Sequence, residues 1–239
     1  MNLVGAVAIV TGAAQNIGHG IALALASKGC RVAILDINQE KLDAIDKGDF
    51  LCIACDAADP IQAANAVDAV VAHFGRIDIL VNSAGWICNS PLYNFLDRKN
   101  GRHDFALWEK AMRSNLTTTF LMGSCVVEKM VRTRTKGLIV NISSVASRGN
   151  AGQSAYSAAK AGVNALTVAW AKELGAMGIR AVSISPGFID TAATHQAMTE
   201  ERLREWISKT PLRRLGQIED ISQSVIFAAE NDYLTGTVL

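Results

Sequence analysis

Tyr156 and Lys160 are four residues apart within Ala155–Ala176, a stretch whose apolar spacing predicts a helix, so their side chains share one face. Those residue types at that spacing suit proton transfer at an oxygen atom. A Tyr hydroxyl has a reference pKa of about 10, too high for an efficient base near neutrality. Lowering it by about three units takes roughly 4 kcal/mol. One ammonium at ~4 Å, across an effective dielectric of ~20, supplies about that much. The expectation is a Tyr156 hydroxyl whose pKa is pulled down by Lys160. Taken alone, such a pair is also a commonplace of exposed helices. Its meaning depends on what lies upstream.

The apolar run Val7–Val10 leads straight into Thr11-Gly12-Ala13-Ala14-Gln15-Asn16-Ile17-Gly18-His19-Gly20 and then a helix. A Gly-rich turn between strand and helix lets backbone N–H groups approach a pyrophosphate at the positive helix end. The same composition also serves tight helix–strand packing. The second strand ends in Leu35-Asp36-Ile37-Asn38, with Asp36 eighteen residues beyond Gly18. A carboxylate there accepts hydrogen bonds from both ribose hydroxyls of NAD(H) and repels the 2′-phosphate of NADP(H). Asp36 could instead cap the next helix, a role open to Asn38 as well. No Arg or Lys stands in the turn at 13–17 or just after Asp36. The expected cofactor is NAD(H), with NADP(H) second.

Strand-like runs at Val7–Val10, Arg31–Leu35, Phe50–Ala54, Ile77–Val81, Leu138–Ile142 and Arg180–Ile184 alternate with helical patterns. The helices are expected at about Ile17–Lys28, Gln39–Lys47, Pro60–Phe74, Phe105–Val131, Ala155–Ala176 and Ile218–Ala229, before a last strand near Thr237. The fold class is therefore α/β: one doubly wound Rossmann-type domain over residues 1–239. Its mostly parallel seven-stranded sheet carries helices on both faces. Two long segments break the rhythm, about 86–104 and 188–215, the second holding a short amphipathic helix at Thr199–Lys209. Both follow strand carboxyl ends, where open α/β sheets bind ligands, and read as substrate-pocket walls. Trp86, Tyr93, Phe95, Phe188, Met198 and Trp206 in them suggest a partly apolar small-molecule substrate.

Composition excludes several classes. The 239 residues carry a net charge of +1 and are 50% hydrophobic, which suits a large core and gives no nucleic-acid or anionic-membrane surface. The densest basic cluster, Lys129–Lys136, reads as a solvated helix end and loop. The first residues have no basic stretch or cleavage site, and no apolar run reaches the ~18 residues of a membrane span. Five cysteines, an odd number, suit a reducing, cytoplasmic setting. Cys52 and Cys55 form a C-x-x-C at a strand, where odd spacing sends them to opposite faces as buried, inert thiols. The four His are scattered, so no metal site is expected.

With Tyr156-Ser157-Ala158-Ala159-Lys160 the ordered set becomes specific. It comprises Thr11-Gly12…Gly18, Asp56, Asn82-Ser83-Ala84-Gly85, Asn115, Ser143-Ser144, Tyr156…Lys160 and Pro186-Gly187 through Thr191. In that order and spacing the chain resembles the short-chain dehydrogenase/reductase family, in its compact form, over essentially its whole length. The resemblance implies that Gly12, Gln15, Asn16, Ile17 and Gly18 hold the pyrophosphate, Asp36 the adenosine ribose, and Asp56 with Ala57 the adenine. It implies that Asn82, Ala84 and Gly85 line the cofactor, and that Pro186, Gly187, Ile189 and Thr191 meet its nicotinamide end. Tyr156 would be the general acid/base and Lys160 would also bond the nicotinamide ribose. Ser144, preferred over Ser143, would donate to the substrate oxygen, and Asn115 would hold a water behind the lysine.

Three departures stand out. Asn16 replaces the family's middle glycine, and Asn tolerates the positive φ required there. The Gly85–Asn115 interval is longer than usual, its extra residues within Leu92–Asp104. Family members continue past the last strand into a short Gly-containing tail, so a chain ending Gly236-Thr237-Val238-Leu239 is expected to be truncated. The apolar surface left on Ala155–Ala176 suggests a partner helix, and the family implies a homotetramer, with a homodimer next. Three functions compete. The first is an NAD-dependent dehydrogenase of a secondary alcohol or ketone. The second is a reductase of 3-oxoacyl thioesters (on acyl carrier protein or CoA), which Arg148–Lys160 resembles and which mostly uses NADPH. The third is a silent nucleotide-binding scaffold, against which the presence of both Tyr156 and Lys160 argues.

Overall fold

The computed structural model describes residues 1–45, 48, 50–97, 99–197 and 199–239. The expected helix end at Lys47 and the pocket residue Met198 lie outside them. Among the described residues seven strands, β1 (Val7–Thr11), β2 (Arg31–Asp36), β3 (Phe50–Ala54), β4 (Ile79–Asn82), β5 (Leu138–Ile142), β6 (Arg180–Ile184) and β7 (Thr237–Val238), form one sheet in the order β3-β2-β1-β4-β5-β6-β7. Every pairing is parallel, so the sheet is wholly rather than mostly parallel. The order reverses between β1 and β4, which opens a crevice at their carboxyl ends.

Strand residues are apolar without alternation because both faces are covered. Ala8 and Val10 of β1 pack beneath α1 (Asn16–Ser27) and α9 (Ile218–Glu230). Val7 and Ile9 face the core under α3 (Pro60–Phe74), α5 (Thr118–Arg132) and α6 (Ser154–Leu174). Cys52 packs into the first core and Cys55 into the second, and burial pushes the Cys55 thiol up to about 11. Asp59 caps α3, accepting from Ile61 and Gln62 N–H at 2.9 Å, and Gly75 ends it at φ +85°. Asn38, not Asp36, caps α2 (Gln39–Asp43).

Two segments depart from the sequence reading. The helix expected over Phe105–Val131 is α4 (Phe105–Met112), a π turn at Arg113–Thr117, then α5. A π turn inserts one residue into the helical ladder, a device common at functional sites. The long segment after β4 folds back as a small hairpin, with Tyr93 bridging Arg102 and Asn94 N–H donating to Gly101 O at 2.6 Å. After β6 come the short α7 (Ala192–Ala197) and α8 (Glu200–Lys209).

Candidate active site

A cavity of about 540 Å³ opens at the carboxyl edge of the sheet. Gly12, Gln15, Asn16, Ile17, Gly18, Asp36, Asp56, Ala57, Ala84, Gly85, Asn115, Ser144, Tyr156, Lys160, Pro186, Gly187, Ile189 and Thr191 all line it. Of the site residues read from sequence, Asn82 alone does not. Its side chain is buried and donates to Asn141 Oδ1 at 2.9 Å, inside the sheet rather than toward the cleft. Asn141 in turn donates to Thr167 of α6, so this amide pair joins β4 to β5 and α6.

The nucleotide end is built by β1, β2 and β4. Thr11, buried at the end of β1, accepts from Ser83 and Ala84 N–H at 3.1 Å each, a clamp the sequence reading left without a role. Gly12 takes φ +62°, and a Cβ there would lie 2.6 Å from Ala84 Cα, so only glycine permits this approach. Asn16 takes φ +52° at the head of α1. No side chain caps α1 and no acid stands in its first turn, which leaves its leading N–H groups suited to an anion. Asp36 accepts from Ala14 N–H at 3.1 Å and Asn38 N–H at 3.0 Å, which pins its carboxylate at the lip of the cleft. Lys41, on α2, donates to Oε1 of Gln15 in the Gly-rich turn. It lies five residues past Asp36, further along the chain than a cation just after the acid. The Gly12 cradle, the uncapped helix head and the pinned acid together fit a dinucleotide.

The other end is built by β5, α6 and the π turn. Lys160, 4% exposed, donates from Nζ to Ile142 O at 2.8 Å, and burial pushes its pKa down to about 8. Ser143 donates to Lys160 O at 3.0 Å and is committed to holding α6 on β5. Ser144 Oγ accepts from Ala146 N–H at 3.1 Å and borders the cleft beside Tyr156, whose charged form it favours. Burial raises the Tyr156 pKa above its usual value, and Ser144 opposes that only in part. The expected lowering by Lys160 is therefore corrected. The ammonium is turned to the Ile142 carbonyl and lies 5.8 Å from the Tyr156 ring centre, while the phenolate is desolvated.

Asn115, fully buried in the π turn, donates from Nδ2 to Trp86 O and Ala111 O at 2.9 Å and accepts from Trp86 N–H at 3.2 Å. It fastens the strap after β4, and both its N–H groups are used. A Cβ on Gly85 would lie 2.7 Å from Asn115 Oδ1 and 3.4 Å from Lys160 Nζ. Gly85→Ala is therefore expected to displace both groups. The expected result is a loss of about 1–3 kcal/mol in stability, as for overpacking, and at least roughly tenfold lower turnover. Denaturant unfolding and steady-state rates measure the two.

The pocket walls are narrower than the sequence suggested. Trp86, Ile87 and Asn89 line the cavity, but Tyr93 and Phe95 sit on the hairpin, outside it and exposed. Phe188 lines the cavity and packs on Trp206 with ring centres 4.7 Å apart, so α8 buttresses the wall from behind. Lys110 and Arg113 also border the cleft, and neither was singled out in the sequence.

A doubly wound parallel sheet with a dinucleotide cradle, a Ser–Tyr hydroxyl pair and a buried Lys at its switch point defines a nicotinamide-dependent oxidoreductase. The family model described as Enoyl-(Acyl carrier protein) reductase matches residues 12–239. The chain belongs to the short-chain dehydrogenase/reductase family, whose members bind a nicotinamide cofactor and act on CH–OH and ketone groups. It is 36% identical to the 3-oxoacyl-[acyl-carrier-protein] reductase FabG of Thermotoga maritima, over 100% of this chain and 97% of that protein. The protein of the same name from Escherichia coli is 32% identical over 100% and 96%. Among solved structures, an NAD+-bound xylitol dehydrogenase superposes with a TM-score of 0.90 at 29% identity, covering 100% of this chain and 98% of the other. Among the described residues no helix is long and apolar enough to cross a membrane.

Proposed function

We propose that this oxidoreductase reduces the ketone of a 3-oxoacyl thioester, with NAD(H) as its cofactor. The observation that carries the proton-transfer reading is the Ser144–Tyr156 hydroxyl pair, beside the buried Lys160 in the cleft. The names of the full-length relatives favour the thioester substrate over a simple alcohol, and Asp36 supports NAD(H). When bound, the nicotinamide supplies the hydride. Tyr156 donates its proton to the carbonyl oxygen as negative charge develops there, and Ser144 donates a second hydrogen bond to the same oxygen. Lys160, held by Ile142 O, adds positive charge behind Tyr156 and would bond the nicotinamide ribose of a bound cofactor. Asn115 keeps the Trp86 strap and Gly85 against the lysine. Gly12 through Gly18 would hold the pyrophosphate, and Pro186, Gly187, Ile189 and Thr191, which line the same cavity, would hold the nicotinamide end.

Acetoacetyl-CoA with NADH, followed by loss of NADH absorbance, tests the reaction. Absence of turnover with both CoA and carrier-protein thioesters would sink the substrate assignment. Xylitol and other secondary alcohols with NAD+ test the second reading, which the xylitol dehydrogenase likeness favours.

Ketone reduction is expected to be flat below about pH 8 and to fall above it. The Lys160 ammonium is present below its pKa and lost above it, whereas Tyr156, raised above its usual value, stays protonated throughout that range. A rate that rises through pH 8 would contradict these roles. NADH is expected to outcompete NADPH by roughly 100-fold in kcat/KM. A single like-charge pair at ~4 Å and an effective dielectric of ~20 costs about 4 kcal/mol, and Lys41 offsets part of it. Asp36→Ala should shrink that preference below about tenfold, as competition assays with both coenzymes would record.

Association as a homotetramer or homodimer through α6 completes the reading. Ala161 and Ala165 are exposed there, with Val168 and Ala169 half-buried beside them. Sedimentation measures the state. A cytoplasmic location is proposed from the odd number of cysteines and from their being free thiols among the described residues.

A further inference from the structure

We propose that Arg113 is an adenine-binding residue, its guanidinium held by Asp56 and laid against the base of a bound dinucleotide. The inference rests on the nucleotide-oxidoreductase reading above. The family resemblance gives the adenine to Asp56 and Ala57, with no part for Arg113. The structure gives Asp56 another task. Its Oδ1 accepts from Ala58 N–H at 2.9 Å and its Oδ2 from Arg113 Nη2 at 2.6 Å. Its own N–H donates to Gln62 Oε1 at 3.1 Å. Both carboxylate oxygens are thus engaged, and the group is oriented from two sides.

The pair joins distant segments. Asp56 follows β3, and Arg113 opens the π turn between α4 and α5, 57 residues further on. Both line the cavity next to Ile37, Ala57 and Ala58, which supply the apolar contacts a purine face requires. The Arg113 side chain is 55% exposed, so one nitrogen is tied down while the rest of the planar cation borders the cleft. A guanidinium is flat and weakly hydrated, and it stacks on aromatic faces where an ammonium does not. A base accepts such a contact through its π-face, with no acceptor demanded of Asp56.

The test is calorimetric titration of the full chain with ADP-ribose, which carries the adenosine but no nicotinamide. Arg113→Ala is expected to raise the Kd by roughly tenfold, the size of one partly desolvated cation–π contact. Arg113→Lys keeps the charge and should recover only a small part of that loss. Turnover with reduced nicotinamide mononucleotide, which lacks adenosine, should be unchanged in both variants. A Kd for Arg113→Ala within twofold of the parent would overturn the proposal. So would a tighter Kd, which would mean that Arg113 withholds Asp56 from the base. An equal fall in the mononucleotide rate would also overturn it, by placing the effect at the reacting centre. If the parent chain fails to bind ADP-ribose, the nucleotide reading and this proposal fall together. A parent that binds ADP-ribose yet reduces no ketone faults the substrate assignment alone, and the Arg113 comparison still decides this proposal.

Discussion

Tyr156→Phe is expected to lower ketone turnover by about 10²–10⁴-fold, the usual range for a positioned general acid. The substitution removes one oxygen and leaves the ring. The ring belongs to a small cluster with Cys88, Ala111, Ala146 and Ala155, so the packing persists. What disappears is the hydroxyl beside Ser144 that carries the proton for the substrate oxygen. ADP affinity should stay within twofold, because ADP ends at the pyrophosphate and its adenosine end of the cleft lies on β2 and β3, away from α6. The comparison of rate with affinity is the measurement. Turnover within fivefold of the parent would mean that another group protonates the substrate. The raised Tyr156 pKa sharpens this expectation. A hydroxyl that burial keeps protonated is a competent acid for reduction, and alcohol oxidation would need the phenolate that the same burial disfavours.

Lys160→Met should separate activity from stability. Turnover should fall by about 10²–10³-fold, the scale of removing one electrostatic group from a reacting centre. Stability should move the other way. The folded-state pKa of Lys160 lies at about 8, against 10.5 for the exposed group, which corresponds to roughly 3 kcal/mol of burial cost. Below pH 8 both folded and unfolded chains hold the proton, and that cost is fully present. Between about 8 and 10 the folded chain releases the proton while the unfolded chain keeps it, so stability rises with pH. Methionine carries no such cost but leaves Ile142 O without its donor, which gives back about 1–2 kcal/mol. The net at pH 7 is a gain of about 1–2 kcal/mol, or roughly 3–6 °C in Tm for a chain of this size. Thermal melts at pH 7 and pH 9.5 check it. Between those values the parent should gain stability relative to Lys160→Met, because the thiols that burial raises destabilise both chains alike above pH 9. A variant that melts below the parent at pH 7 would show that the lysine stabilises the fold as a structural hydrogen-bond donor.

Local pattern decided much of this protein. The uninterrupted apolar strands declare a sheet covered on both faces, since any exposed face would need polar alternation. Asp59-Pro60 and Gly75 mark the two ends of α3, because caps act through backbone groups within a turn of themselves. The Gly-rich turn, Asp36 and the Tyr156–Lys160 spacing are likewise short-range signals, and they were legible in the order of residues. The tertiary structure decided whatever joins segments far apart in the chain. Thr11 clamping Ser83 and Ala84, Asp56 pairing with Arg113, and Asn115 fastening Trp86 link residues 29 to 73 positions apart. No periodicity announces such pairs. Asn82 carries a family motif, yet its side chain turns inward because Asn141 offers it a partner in the neighbouring strand. The direction of the Tyr156 shift also lay beyond the sequence. Spacing places an ammonium near a phenol, but desolvation and the pull of the Ile142 carbonyl on Lys160 decide which influence prevails. Both depend on how completely α6 is sunk against β5, which only the packed chain determines.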